Sequence, residues 1–527
     1  MKENYTNIPV EKLKFAQKKD FLHDSKFETK PVSYFQGAFK RFCKNKGAVV
    51  AACVIAVLVL FAIFAPAFTP YQPAYYDMSY CFVTPRSNFF ADRGYDFWDG
   101  CKVKNTNQAG YLKDLALSLE TGREVIKHGD VTISGEDNNN YTYRYDTYYG
   151  VGFGKYKIIS EAEFKDIQRY QDETGRQVLY PVVKSSERPT LEKNKYDANI
   201  YYKMENAKAS VIKPKLDKEG NIIPNYWKYE EGKASSLVPE YTSKRIEGED
   251  GVEEKGKTYF YAYGRKVDGG IEVRTEYYEY YTYLHTQVYK DGIGEPTFWF
   301  GTTETGKDIF ACLAYGARFS FIFAIAVAAA NFIFGVIWGS ISGYYGGKTD
   351  LIMERITDVL SAVPTIIVIT LLKYHMGASS QVLVLFIAFF ATGWIGMSYV
   401  TRVQFYRFKN QEYVLAARTL GARDARIMFK HIFPNGIGTI VTKFALVIPG
   451  MIYSETSLSY LGIINLEAGN TTSVGTLIAA GQRSITSGAA YVAIFPCVFL
   501  VFLMLSFNLF GNGLRDAFNP SLRGTED

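Results

Sequence analysis

The chain has 527 residues, 48% of them hydrophobic, and a net charge of +6, with a mean hydropathy of -0.08. It is too polar to be wholly membrane and too punctuated by long apolar runs to be wholly soluble. The modest positive charge sits mostly beside those runs, which argues for membrane orientation and against nucleic-acid binding, and no nucleic-acid recognition motif is present.

Residues 1–47 are polar and Lys-rich, with Lys40, Arg41, Lys44 and Lys46 just before the first apolar run, so this end is expected in the cytoplasm. Residues 48–65 make a first span of about 18 residues closed by Pro66 and Pro70. The polar leader and the apolar run are both too long for a cleaved signal peptide, so the span is retained.

From 69 to 300 the sequence turns Tyr-, Lys-, Asp- and Gly-rich without a spanning run. It reads as an extracytoplasmic domain of roughly 230 residues, large enough for its own core. Stretches 257–263 and 271–283 alternate, with Ile271, Val273, Thr275 and Tyr277 on one face, which is strand periodicity. Ser160 and Glu163 form a capping box, Phe164, Ile167 and Tyr170 a helical face, and Gly175 a stop. The insert is therefore α+β with mostly antiparallel strands. Its Tyr-rich faces suit core packing more than ligand stacking. Cys81 and Cys101 are the candidate disulfide, worth about 3 kcal/mol; two free thiols are the alternative. The other cysteines have no metal-ligand spacing.

Residues 301–308, GTTETGKD, nearly reproduce a phosphate-binding loop but carry Asp308 where Ser or Thr must hold Mg²⁺, so that reading fails. Five further spans follow at 319–341, 356–372, 382–400, 437–453 and 489–510, within a membrane core of 301–511, before a cytoplasmic tail of 512–527. The 401–436 loop carries Arg402, Arg407, Lys409, Arg418, Arg423, Arg426 and Lys430, whereas 373–380 has only Lys373. Six spans with both termini inside obey the positive-inside rule without adjustment.

Within that loop, residues 410–434 read as helix, break, helix. Asn410 is the expected N-cap, Glu412 sits in the first turn, Arg418 in the last, and Gly421 supplies the residue with φ > 0, giving a helix of about ten residues. Ala416 and Ala417 keep one flank thin, and Tyr413, Val414 and Leu420 offer apolar anchors, as suits docking into a groove. A second helix over 424–433 is expected to close at Pro434. Among ionisable residues in spans, Asp358 has a structural reading, paired with Arg355, and a transport reading. Glu455, at the outer end of the fifth span, has two as well: interfacial exposure, or lining the translocation path.

These stretches together resemble the ABC importer permeases of the dipeptide, oligopeptide and nickel family. Residues 410–434 resemble its EAA loop, with the Ala-Ala pair, Gly421, His431, Ile432 and Pro434 at family spacing, although Leu415 replaces the usual acid and Glu412 carries it instead. Phe300 to Phe321, the turn 342–347 with Asp350, the Arg355, Asp358 and Pro364 arrangement, Glu455-Thr-Ser-Leu-Ser-Tyr-Leu-Gly462 and the tail 508–516 match further family patterns; Thr303 stands where an Asp is usual. The resemblance implies a six-helix type I permease fold. It also implies a second homologous permease subunit, two ATPase subunits engaged through 410–434, an extracellular substrate-binding protein and a lipid bilayer. ATP and Mg²⁺ would be bound by the ATPases, so this chain holds no cofactor and is no enzyme. The insert departs from the family's short loop. Competing readings are a membrane-anchored binding or adhesion domain, which leaves the loop pattern unexplained, and an ion-coupled transporter, whose inverted repeats are not found.

Overall fold

The computed structural model describes residues 34–183, 204–205, 213–214, 216, 218, 220, 223–231, 235–239 and 259–518, except 92, 128–130, 135–139, 152–154, 378–380 and 468–470. An amphipathic helix, α1 (Tyr34–Lys44), leads through Asn45 into α2 (Lys46–Phe68). The Asn45 side chain accepts from the Ala48 amide at 3.2 Å, which satisfies one of the free donors of the new helix. Pro66 does not close the helix as expected but lies inside its last turn.

The insert is α+β. Strand β1 (Cys101–Asn107) leads into α3 (Gln108–Thr121), and β2 (Thr132–Ser134) and β3 (Asn140–Asp146) complete a small antiparallel sheet in the order β1-β3-β2. A larger antiparallel sheet holds β4 (Lys155–Ile159), β5 (Leu179–Tyr180), β6 (Lys228–Glu230), β7 (Leu237–Pro239), β8 (Tyr259–Val267) and β9 (Gly270–Thr275). Its main path is β4-β9-β8-β6, with β5 on β9 and β7 on β8. Between β4 and β5 runs α4 (Glu161–Thr174), starting and stopping at the expected Ser160 and Gly175. Only half of the capping box forms: Ser160 Oγ accepts from the Glu163 amide at 3.1 Å, while the Glu163 carboxylate accepts from Tyr280 Oη at 3.1 Å. Phe164 and Ile167 pack on Ile271 and Val273.

The alternation read over 271–283 holds through Thr275 and then breaks, because α5 (Tyr277–Tyr283) begins there. The Glu276 carboxylate accepts from the Tyr278 and Glu279 amides at 3.1 and 3.0 Å. An N-cap of that kind outweighs the strand preference of five tyrosines.

The membrane core opens with α6 (Ile309–Tyr345), 37 residues long, then α7 (Gly347–Ser361) and α8 (Thr365–Met376). The single third span expected over 356–372 is instead this last pair, bent by 71°. Pro364 explains the break, since it removes a helical donor and drives the residue before it out of helical geometry. Next come α9 (Gln381–Gly393), α10 (Ile395–Phe408) and α11 (Glu412–Thr419). A short turn (Asp424–Arg426) and a π-turn (Ile427–Ile432) then run without interruption into α12 (Phe433–Tyr460). Pro434 therefore does not end the second loop helix. The wide π-turn ahead of it absorbs the missing donor. Helices α13 (Val474–Ile485) and α14 (Tyr491–Ala517) complete the described core. Among the described residues five helices are long and apolar enough to cross a membrane, or up to six if the bent pair is one span.

The insert is stitched to this core rather than tethered to it. Tyr71, Tyr80, Val83, Tyr148, Tyr281 and Phe298 share one buried cluster with Ala311 at the start of α6. The Val83 and Thr302 backbones meet through Thr302 N to Val83 O at 2.9 Å, and Phe82 N donates to Thr303 O at 3.2 Å. The 301–308 stretch is thus a structural turn, and Asp308 caps α6 by accepting from the Phe310 and Ala311 amides at 3.2 and 3.1 Å.

Candidate coupling and translocation site

Helix α11 stands at one end of the bundle. Its N-cap is Gln411, one residue later than expected, and the Gln411 side chain makes no capping bond. At its other end Gly421 has φ +79, its amide bonds Arg418 O at 3.0 Å, and the Ala422 amide bonds Ala417 O at 3.1 Å. That pair of bonds is the Schellman stop. A Cβ at position 421 would meet nothing within 4 Å, so the backbone angle alone demands glycine.

One face of α11 is nailed down. Val414 is fully buried among Tyr344, Phe405, Ile427, Met428 and Ile432, so of the three expected anchors it is turned inward. Glu412, Tyr413, Leu415, Ala416, Arg418 and Leu420 are exposed, and Ala417 is half-buried. The loop is held from below by Tyr344 Oη, which donates to Asp424 Oδ1 at 2.6 Å, and by Arg418 Nη2, which reaches Tyr344 Oη at 3.4 Å. Pro434, at the start of α12, lies outside α11 but in the same loop.

Behind the loop lies a contact not anticipated from sequence. On α6, Gly335, Gly339 and Gly343 recur every fourth residue against α10. A Cβ at 339 would fall 2.2 Å from Ser398 O, and one at 343 would fall 2.7 Å from Arg402 O. The signal was present as a small-residue repeat, the usual device for close helix approach in membranes. Arg402 then crosses to α7, bonding Asp350 at 2.6 and 2.7 Å and Glu354 at 3.0 Å, while Tyr406 Oη donates to Asp350 at 2.7 Å. One bidentate ion pair thus ties α10, which feeds the loop, to the start of the bent pair.

Among the described residues Glu455 and Asp358 share no partner. Glu455 is 1% exposed and accepts from Ser320 Oγ at 3.1 Å and Ser459 Oγ at 3.0 Å. The interfacial-exposure reading is therefore corrected: the carboxylate bridges α6 and α12 in the packed interior. Asp358 is exposed on α7, accepting from Arg355 at 3.0 Å, the expected pairing. Cys81 and Cys101 are not joined in a disulfide, which corrects that expectation. Cys81 Sγ donates to Met78 O at 3.0 Å beside the Met78–Tyr80 turn, whereas Cys101 starts β1 opposite Asp146.

The family described as the binding-protein-dependent transport system inner membrane component matches residues 335–524. The N-terminal TM domain of oligopeptide transport permease C matches residues 33–85. The oligopeptide transport system permease protein OppC of Bacillus subtilis is 44% identical over 225 residues, covering 43% of this chain and 72% of that protein. The dipeptide transport system permease protein DppC of the same organism is 40% identical over 225 residues, 43% of this chain and 69% of that one. DppC of Lactococcus lactis is 38% identical over 245 residues, 46% of this chain and 69% of that one. This chain belongs to that permease family. The matched regions take in α2, the end of α6 from Gly335 on, the loop with α11 and all that follows. Residues 86–334 of the permease, most of them insert, lie between the two matched stretches.

Proposed function

We propose that this permease is one of two membrane subunits of an ATP-driven importer of oligopeptides or dipeptides, and that α11 is the part its ATPases move. The observation that carries this reading is the construction of α11. Its outer face, with Leu415, Ala416 and Leu420 exposed, is free for a groove. Its inner face and both its neighbours are fixed, so a push on α11 is passed to α10 and through Arg402 to α7. Peptides as cargo are taken from the names of the relatives.

The bent pair supports a second permease. Leu351, Ile352, Ile356, Val359, Ile366, Ile367 and Leu371 are exposed there, and among them sits the charged Asp358. A carboxylate facing lipid is costly, whereas one at a subunit seam or water path is not. The insert would lie on the side from which a binding protein delivers cargo, with α11 in the cytoplasm, as the charge of the 401–436 loop favours.

The test is purification of the full chain from native membranes in mild detergent after cross-linking an Ala416→Cys variant to whatever touches it. The expected result is a cross-linked ATPase, a second permease in fixed ratio, and uptake of labelled peptide by the reconstituted assembly. Recovery of the chain alone after cross-linking would overturn the coupling assignment; intact assembly without peptide uptake would overturn the cargo.

A further inference from the structure

In the insert a loop gathers exposed rings around Phe90. Residues 87–98 are pinched at the neck, where Arg86 and Asp99 bridge and Ser87 N donates to Trp98 O at 2.8 Å. Beyond the neck, Phe89, Tyr95 and Phe97 are 57%, 49% and 53% exposed. They gather around Phe90, with ring centroids 5.2, 6.0 and 4.8 Å from it respectively. Soluble domains seldom leave a ring cluster of this kind in water without a use for it.

The position of the loop names the use. Trp98, held in the left-handed region at φ +56, packs on Phe495 of α14 with centroids 5.7 Å apart, and its indole N–H donates to Trp299 O. Phe495 is also stacked on Phe300 at 4.1 Å. Phe495 lies in the second turn of α14, which starts at Tyr491, so the loop sits at the depth of the outermost turns of a spanning helix. Ile494 and Val498 on α14 and Phe64 and Phe68 on α2 are exposed apolar residues as well. Trp98 thus joins the loop directly to α14, and Trp299, whose carbonyl it bonds, lines one cavity with Phe68 of α2. Two charged residues of the loop are among the described ones. Arg93 is exposed and lies over the Phe89 ring at 3.9 Å, and Asp96 is bonded to Arg144.

We propose that Phe89, Tyr95, Phe97 and Trp98 form an aromatic wedge that sits in the headgroup zone of the bilayer leaflet on the insert side, anchoring the insert to lipid. Tyr95 and Trp98 are rings with one polar handle, the kind favoured at that depth, Phe89 and Phe97 add apolar area, and the Arg93 guanidinium, stacked on the Phe89 ring and donating to Phe89 O at 3.0 Å, places a cation beside them. The wedge fixes the insert at two points, its stitched base and this lateral foot, and keeps it from swinging over the end of the bundle.

The test places the photoreactive residue p-benzoylphenylalanine at 89 or 97 of the full chain in cell membranes. Val501, exposed on α14, serves as the lipid-facing control and Ile158, exposed on β4, as the aqueous one. After irradiation, mass spectrometry should find phospholipid acyl adducts at 89, 97 and 501 and none at 158. Adducts to a protein at 89 and 97, whether a binding protein or a second permease, would overturn the proposal, as would acyl adducts at 501 alone. If either variant is missing from the membrane fraction, Tyr95 takes the probe and the same outcomes decide.

Discussion

Asp308 makes the joint between insert and core sensitive to pH. Burial pushes its carboxyl up to about 7, against about 4 in an unfolded chain. Between those values the folded chain keeps a proton that the unfolded chain has lost, so stability falls as pH rises through that window and levels off above it. Burial raises Asp146 and Glu276 in the insert as well, which adds to the same slope. The thermal midpoint in detergent should be higher at pH 5 than at pH 8, and Asp308→Asn, which keeps a good cap, should flatten the difference. Glu455 tests differently. Leucine there would leave the Ser320 and Ser459 hydroxyls without their acceptor and should cost about 2 kcal/mol, seen as a lower thermal midpoint, whereas Glu455→Gln should lie close to the parent. Cys81 and Cys101 should both take maleimide in the unfolded chain without any reductant; protection of the pair until reduction would show a disulfide between them after all.

Gly421 and Gly339 act through their helices. Gly421→Val puts a β-branched residue at φ +79, at roughly 1–2 kcal/mol, and should tilt α11 and remove peptide-stimulated ATP hydrolysis while the chain stays in the membrane; unchanged stimulation would sink the role of the turn. Gly339→Leu should wedge α6 from α10 and lower the amount of assembled transporter itself. The stop at Gly421 was legible because it depends on a single backbone angle that few residues adopt. The bend at Pro364 and the continuation through Pro434 were not, since a proline states only what its own turn lacks and not whether the turn before it widens. Residues 277–283 misled for a similar reason: tyrosine favours strands, but Glu276 captures two amides and starts a helix. Helix α13 was missed although its marks were local, with Ser473 and Thr476 as a reciprocal cap and Val474, Leu477, Gly481 and Ser484 buried along one stripe. The Tyr-rich insert was readable as α+β, but its attachment to the core was not, because contacts such as Val83 with Thr302 join residues far apart in the chain.

At the scale of the whole molecule the insert leaves and rejoins the core at neighbouring points, since Arg86 N donates to Phe298 O at 3.0 Å. Excising residues 87–297 and closing the gap with a short Gly-Ser linker therefore needs little rearrangement. Some contacts are lost: the Tyr148 hydroxyl leaves Phe298 O, and Tyr281 leaves the edge of Tyr80. Others survive, namely the Val83 to Thr302, Phe82 to Thr303 and Asp77 to Gly306 backbone bonds, and the whole interior of α2, α6, α12, α13 and α14 around Ile309, Leu313, Ile452 and Leu503. The excised permease should accordingly insert in the membrane, bring down the ATPases proposed above in the parent ratio, and melt several degrees lower because Tyr80 and Phe298 lose their cover. Size-exclusion profiles and the co-purified ratio decide the matter. An aggregated or absent product would mean that the insert is part of the permease's folding unit rather than a domain stitched onto it.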